Sequence, residues 1–223
     1  MQRQQEHELM HGTEASAYAA ADFESVNAAY IESLQAMAGE MAGAALIDLG
    51  TGPGDIAIRI ALARPDWKVT GLDGSEDMLQ LARDAETRAS LSNTIAWVCA
   101  DAKASGLPAA SFNILISNSI LHHVSDPIEF WREVGRLAAS DAHIFMRDLH
   151  RPDSEEAARA IVEEYAAEEP EVLRSEFYNS LLASYSCEEV REQIAQAGLD
   201  LTVEMSSDRH LDVLGVRSGR GEW

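Results

Sequence analysis

Residues 46–55, LIDLGTGPGD, run from a short apolar stretch straight into three glycines, Gly50, Gly52 and Gly54, with carboxylates at Asp48 and Asp55. The stretch 45–49 reads as a strand covered on both faces. In an open α/β sheet the ligand crevice lies beyond the carboxyl ends of the strands, and glycines there let a backbone approach a ligand closely. An isolated GxGxG also suits a merely tight strand-to-helix turn. The rest of the chain decides between the two.

Four more β-rich runs follow: 67–73 (WKVTGLD), 94–100 (TIAWVCA), 112–118 (FNILISN) and 142–148 (AHIFMRD). Helical patterns fit between them. Ser75 is an N-cap for a helix carrying Met78, Leu79 and Ala82, and Asp126-Pro127 with Glu129 starts another. Strand and helix in alternation predict a doubly wound α/β fold. Residues 199–205 and 210–216 read as a terminal β-hairpin, giving a mostly parallel seven-stranded sheet. The expected layout is an N-terminal helical lid (1–40) and an α/β domain (41–223). That domain includes a helical insertion (153–197) and the hairpin (199–216). Ser186 to Glu189 form a capping box, and Gly198 sits where a C-cap glycine belongs.

The glycine loop gains meaning from two further strand tips. The second strand ends at Asp73, where a carboxylate can accept both hydrogens of a ribose diol. The third leads into Asp101 and Ala102, where a carboxylate can accept from an adenine amine. A dinucleotide would favour GxGxxG and an uncluttered positive helix end, whereas here Asp55 follows a GxGxG. A dehydrogenase is therefore disfavoured, and a cationic ligand suits the three carboxylates.

Composition limits the partners. Seventeen Lys plus Arg against 38 Asp plus Glu give a formal charge of −21, which repels nucleic acid. The two cysteines, Cys99 and Cys187, form neither a disulfide framework nor a zinc knuckle. The polar N-terminus is unlike a signal peptide, and no apolar run reaches the roughly 18 residues of a membrane span. A cytoplasmic protein without a membrane partner is expected, and a homo-oligomer is compatible with the chain.

With these motifs in register, the sequence resembles the class I S-adenosylmethionine-dependent methyltransferases of small-molecule type. LIDLGTGPGD is similar to the family's first motif, Asp73 in GLDGS to its second-strand position, and CADA (99–102) to its third. The resemblance covers residues 44–147 and, more loosely, the tail. It implies S-adenosylmethionine as cofactor, with Gly50, Thr51, Gly52 and Gly54 meeting its methionyl part and Asp48 supporting the loop. It also implies Asp73 and Gly74 at the ribose, and Met78, Asp101 and Ala102 at the adenine. Asn118 would offer its carbonyl to the ammonium, while Tyr18, with Asp22 and Phe23 nearby, would close the cleft.

The acceptor side is read from polar residues at strand tips. The pair His122-His123 is similar to a histidine pair in small-molecule members of the family, and one imidazole would be a base or a hydrogen-bond partner; packing is the alternative. Arg147, Asp148 and His150 end the fifth strand. If the sixth strand runs parallel to it, Arg209 and His210 return to the same edge. One reading is a pocket for a polar or anionic small molecule, the other an internal salt-bridge network. Tyr178 and Asn179 in the insertion are further substrate candidates. No recognisable metal-ligand spacing joins Asp148, His150 and His122, so no metal is expected. A cofactor-binding protein that transfers no methyl group needs the same motifs and stays open as the alternative function.

Overall fold

Strand β1 (Ala45–Leu49) is buried at four of its five positions and pairs in parallel with β2 (Lys68–Asp73) and β4 (Phe112–Asn118). The computed structural model describes residues 1–9, 12, 15, 18, 19, 24–91 and 94–217; Asp22 and Phe23 lie outside them. β3 (Ala96–Cys99) extends the sheet beyond β2, and β5 (Ala138–Leu149) beyond β4. β7 (His210–Val216) is antiparallel to both β5 and β6 (Thr202–Met205), giving the order β3-β2-β1-β4-β5-β7-β6. Strand order reverses direction between β1 and β4, so the ligand crevice of such a sheet falls at their carboxyl ends.

Alternation along the strands builds two cores. Ile47, Leu49 and Leu115 point to one face, packing with Phe130, Trp131 and Ile194 of helices α4 (Pro127–Leu137) and α7 (Cys187–Gln196). Leu46, Ile114 and Ile116 point to the other, against Tyr30 and Leu34 of α1 (Glu24–Ala38) and Ile56 and Ile60 of α2 (Asp55–Ala63). Helix α3 (Glu76–Arg88) follows β2, with the Ser75 hydroxyl accepting from the Met78 amide. Asp126 caps α4, and Ser186 with Glu189 closes a capping box on α7. The insertion also holds α5 (Glu155–Ala166) and α6 (Glu171–Ala183), joined through Ala158, Val162, Leu181 and Leu182 under Leu149.

Two features differ from the sequence reading. β5 starts at Ala138, directly after α4, rather than at residue 142, and its pairing with β4 shifts between Phe112 and Ile114. Residues 1–9 form no helix. They lack an apolar helical face, and their polar groups bond outward instead: the Gln4 amide donates to the Leu182 carbonyl, and Arg3 donates to the carbonyls of Ala183 and His122. The N-terminus is therefore a strap laid across the carboxyl edge of the sheet. No helix among the described residues is long and apolar enough to cross a membrane.

Candidate active site

The glycine loop closes over the end of β2. Gly50 and Thr51 amides donate to the Leu72 carbonyl at 2.8 and 2.9 Å. The Thr51 hydroxyl donates to Asp48 Oδ2 at 2.7 Å, and the Gly52 amide donates to Asp73 Oδ2 at 2.9 Å. Gly50, Gly52 and Gly54 adopt φ of 72°, 54° and 82°, a region in which L side chains are strained. A Cβ on Gly50 would stand 2.4 Å from Ile120 Cδ1, whereas one on Gly52 would meet nothing within 4 Å among the described residues. The loop thus needs glycine at Gly50 for packing, and at Gly52 it presents bare backbone to open space.

The floor of this cleft is acidic. Burial lifts the Asp48 carboxyl to about 7, the Thr51 hydrogen bond opposes that, and the neighbouring Asp73 charge adds to it. Asp73 is likewise raised by burial, although the amides of Ser75 and Gly52 hold its charged form. Tyr18 is pushed up to about 12, first by burial and then by the charges of Asp148 and Asp73. Carboxylates crowded in this way favour a positively charged ligand. S-adenosylmethionine, with its sulfonium and ribose diol, fits bare backbone at Gly52 beside a two-oxygen acceptor at Asp73.

Other cofactor candidates sit around that cleft. Met78 and Ala102 are buried, and Gly74 lies under Leu9 of the strap, whose Cδ2 would meet a Cβ at 2.6 Å. Asp101 is exposed and accepts from the Lys103 amide at 2.8 Å. Asn118 ends β4 opposite Arg147.

The two histidines occupy a 3-10 turn (Leu121–His123) at the tip of β4. His122 is 3% exposed and its Nδ1 stands 2.6 Å from Asp148 Oδ1. Asp148 is itself held by the amides of Leu121 and Leu149. Burial alone would depress the His122 imidazole, but the Asp148 carboxylate overrides it and leaves the ring above its ordinary value. His123 Nδ1 stands 2.8 Å from the His7 carbonyl, an acceptor only, so that nitrogen carries the hydrogen. Burial, then the neighbouring His122, bring His123 down to about 4.

The arginines of this edge are already paired. Arg147 holds Asp212 through two hydrogen bonds of 2.7 Å. Arg209 pairs with Asp208 and lies 3.4 Å over the Tyr165 ring, tying the hairpin to α5. The hairpin does return to the carboxyl edge, since the His150 amide donates to the Arg209 carbonyl at 2.8 Å. His210, brought down to about 4 by burial and then by Arg209 and Arg147, pairs with Leu149 in register. The structure thus brings these residues to one edge, with both guanidiniums engaged in internal ion pairs. Tyr178 faces α5 instead, its hydroxyl donating to Glu155. Asn179 lines a cavity of about 230 Å³ with Gln4, Glu6, His123 and Glu176.

The strap supplies residues that no sequence pattern announced. Arg3 lies 4.1 Å over the Tyr185 ring, Glu6 accepts from Ser180, and Glu8 holds Lys103 and the Ser125 amide. Each contact joins positions about 100 or more residues apart, which no local pattern encodes.

Comparison with known proteins agrees with this geometry. A family model described as a methyltransferase domain matches residues 40–205. The chain is 28% identical over 159 residues to 27-O-demethylrifamycin SV methyltransferase of Amycolatopsis mediterranei, covering 71% of this chain and 55% of that protein. It is 29% identical over 111 residues to the ubiquinone biosynthesis O-methyltransferase of Ralstonia nicotianae, covering 50% and 45%. The chain therefore spans about half the length of these curated relatives. A solved structure of a putative S-adenosyl-L-methionine-dependent methyltransferase from Methanococcus maripaludis shares the fold, with a TM-score of 0.75, 18% identity and 94% coverage of both chains. A family match of that extent, on this sheet order, means that the chain belongs to the methyltransferase-domain family of class I S-adenosylmethionine-dependent methyltransferases.

Proposed function

We propose that this chain moves a methyl group from S-adenosylmethionine to a hydroxyl of a small polar molecule, with His122 accepting the hydroxyl proton. The observation that carries the reading is the buried His122–Asp148 pair at 2.6 Å. A carboxylate on Nδ1 fixes the tautomer, so Nε2 is the nitrogen left to take a proton. The names of both curated relatives above describe methylation of a small molecule, and one of them methylation at oxygen.

When bound, the cofactor supplies a methyl group on a positive sulfur, open to in-line displacement. The chain's own residues do the rest. Gly50, Thr51, Gly52 and Gly54 hold the methionyl part with Asp48 beneath them, and Asp73 with Gly74 holds the ribose. Met78, Asp101 and Ala102 flank the adenine, and Asn118 takes the ammonium. Tyr18 and the strap exclude water. Alignment carries most of the acceleration, and a positioned base adds roughly 10²–10⁴-fold. His123, Asn179 and the cavity of about 230 Å³ hold the acceptor. Because Arg147 and Arg209 are already paired, a neutral polar acceptor is favoured over an anionic one, with His150 and His210 shaping the edge. The reaction takes place in the cytoplasm.

The test is incubation with methyl-labelled S-adenosylmethionine and pooled hydroxylated metabolites. Labelled product and S-adenosylhomocysteine should form only with acceptor present. Tight cofactor binding with no label transferred to any pool would favour the non-methylating alternative instead.

A further inference from the structure

Among the described residues, donor atoms of Glu6, His122 and His123 lie within 4.8 Å of one another. Two come from the 3-10 turn and one from the strap, so the group exists only while the strap lies across the sheet edge. Two imidazoles and one carboxylate are the ligand types of an open zinc site, with a fourth position left over.

Each imidazole is already oriented as a metal ligand. Metal-bound histidines donate their second ring N–H to a carboxylate or a backbone carbonyl, which fixes the tautomer and aims the other nitrogen at the ion. His122 has Asp148 at 2.6 Å and His123 has the His7 carbonyl at 2.8 Å in those two roles. The rings are 4.2 Å apart between centroids and tilted by 39°. Glu6 Oε2 stands 3.8 Å from His123 Nδ1, the nitrogen that faces the His7 carbonyl. Ligands around a zinc ion at about 2.1 Å sit roughly 3.4 Å apart, so donor atoms within 4.8 Å of one another close on an ion when the Glu6 side chain rotates towards Nε2. The cavity beside Glu6 and His123 opens the fourth position to solvent.

We propose that Glu6, His122 and His123 form a Zn²⁺ site that clamps the strap shut and blocks the acceptor side of the cleft. Occupation consumes the imidazole lone pairs that the proposed methyl transfer needs, so the ion is an inhibitor rather than a cofactor. That inhibitory half rests on the function proposed above, whereas the binding half does not.

The experiment is calorimetric titration of tag-free, full-length protein with Zn²⁺, together with the visible spectrum of the Co²⁺ form. One ion should bind per chain, and Glu6→Gln and His123→Gln should each weaken binding at least about tenfold. Hydrogen exchange at residues 3–9 should slow with Zn²⁺ in the wild type and be unaffected in Glu6→Gln. No uptake by the wild type, or variants that bind as tightly, would overturn the site. Zn²⁺ that binds with these properties while methyl transfer continues unchanged would leave the site standing and remove His122 as the proton acceptor.

Discussion

The Gly52 amide donates to Asp73 Oδ2 at 2.9 Å, so the glycine loop and the tip of β2 form one hydrogen-bonded unit rather than two separate contacts to a ligand. The other oxygen is fixed by the Ser75 amide at 2.8 Å, which also starts α3. The carboxylate is therefore held in place without a ligand, and the ribose role proposed for it would require no reordering on binding.

Replacing Asp73 should accordingly be felt first in cofactor affinity. Asp73→Ala is expected to weaken S-adenosylmethionine binding by about 2 kcal/mol or more, the range of charge-assisted hydrogen bonds. Calorimetry on the folded variant measures it. Unchanged affinity would remove Asp73 from the ribose site.

Asp48 gives a pH signature. Its folded carboxyl titrates at about 7 against an ordinary 3.8, because of burial and, less strongly, Asp73. A raised acid favours folding in its protonated form, so this contribution is lost as pH rises from about 4 to about 7. Asp48→Asn, which keeps an acceptor for Thr51, should be more stable than the wild type by on the order of a few kcal/mol at pH 8, with the gap closing toward pH 4. Urea denaturation at both pH values reads the difference. A gap independent of pH would mean that Asp48 is charged throughout.

Packing behind the loop is tested at Gly71 on β2. A Cβ there would meet Trp97 Cζ3 at 2.4 Å and Thr51 Cγ2 at 3.1 Å. Gly71→Ala should cost about 1–3 kcal/mol of stability through overpacking. A variant as stable as the wild type in denaturant would show that the Trp97 ring moves aside freely.

Much of this fold was legible in LIDLGTGPGD and the strand tips at Asp73 and Asp101, because a strand, a glycine turn and a helix cap are local patterns of apolar spacing and φ. The caps at Ser75, Asp126 and Ser186 were legible for the same reason. The strap was not, since residues 1–9 are ordered by Leu182, Ala183, His122 and Ser125 rather than by their own periodicity. The partners of Arg147 and Arg209 depended on which face each hairpin residue takes. Residues at the edge were foreseen, but pairing with Asp212 and stacking on Tyr165 required the register of β5 with β7. His122 and His123 stood out as a pair, while their different surroundings, Asp148 against the His7 carbonyl, come from segments 26 and 116 residues away.

The most direct test of the account is the single-turnover rate of methyl transfer in His122→Gln and Asp148→Asn, measured beside cofactor affinity in the same preparations. The expected result is a rate at least about tenfold below the wild type, roughly 1.4 kcal/mol of lost transition-state stabilisation, with S-adenosylmethionine affinity within a few-fold. Wild-type rates in both variants would contradict it, leaving the His122–Asp148 pair a structural tie between β4 and β5.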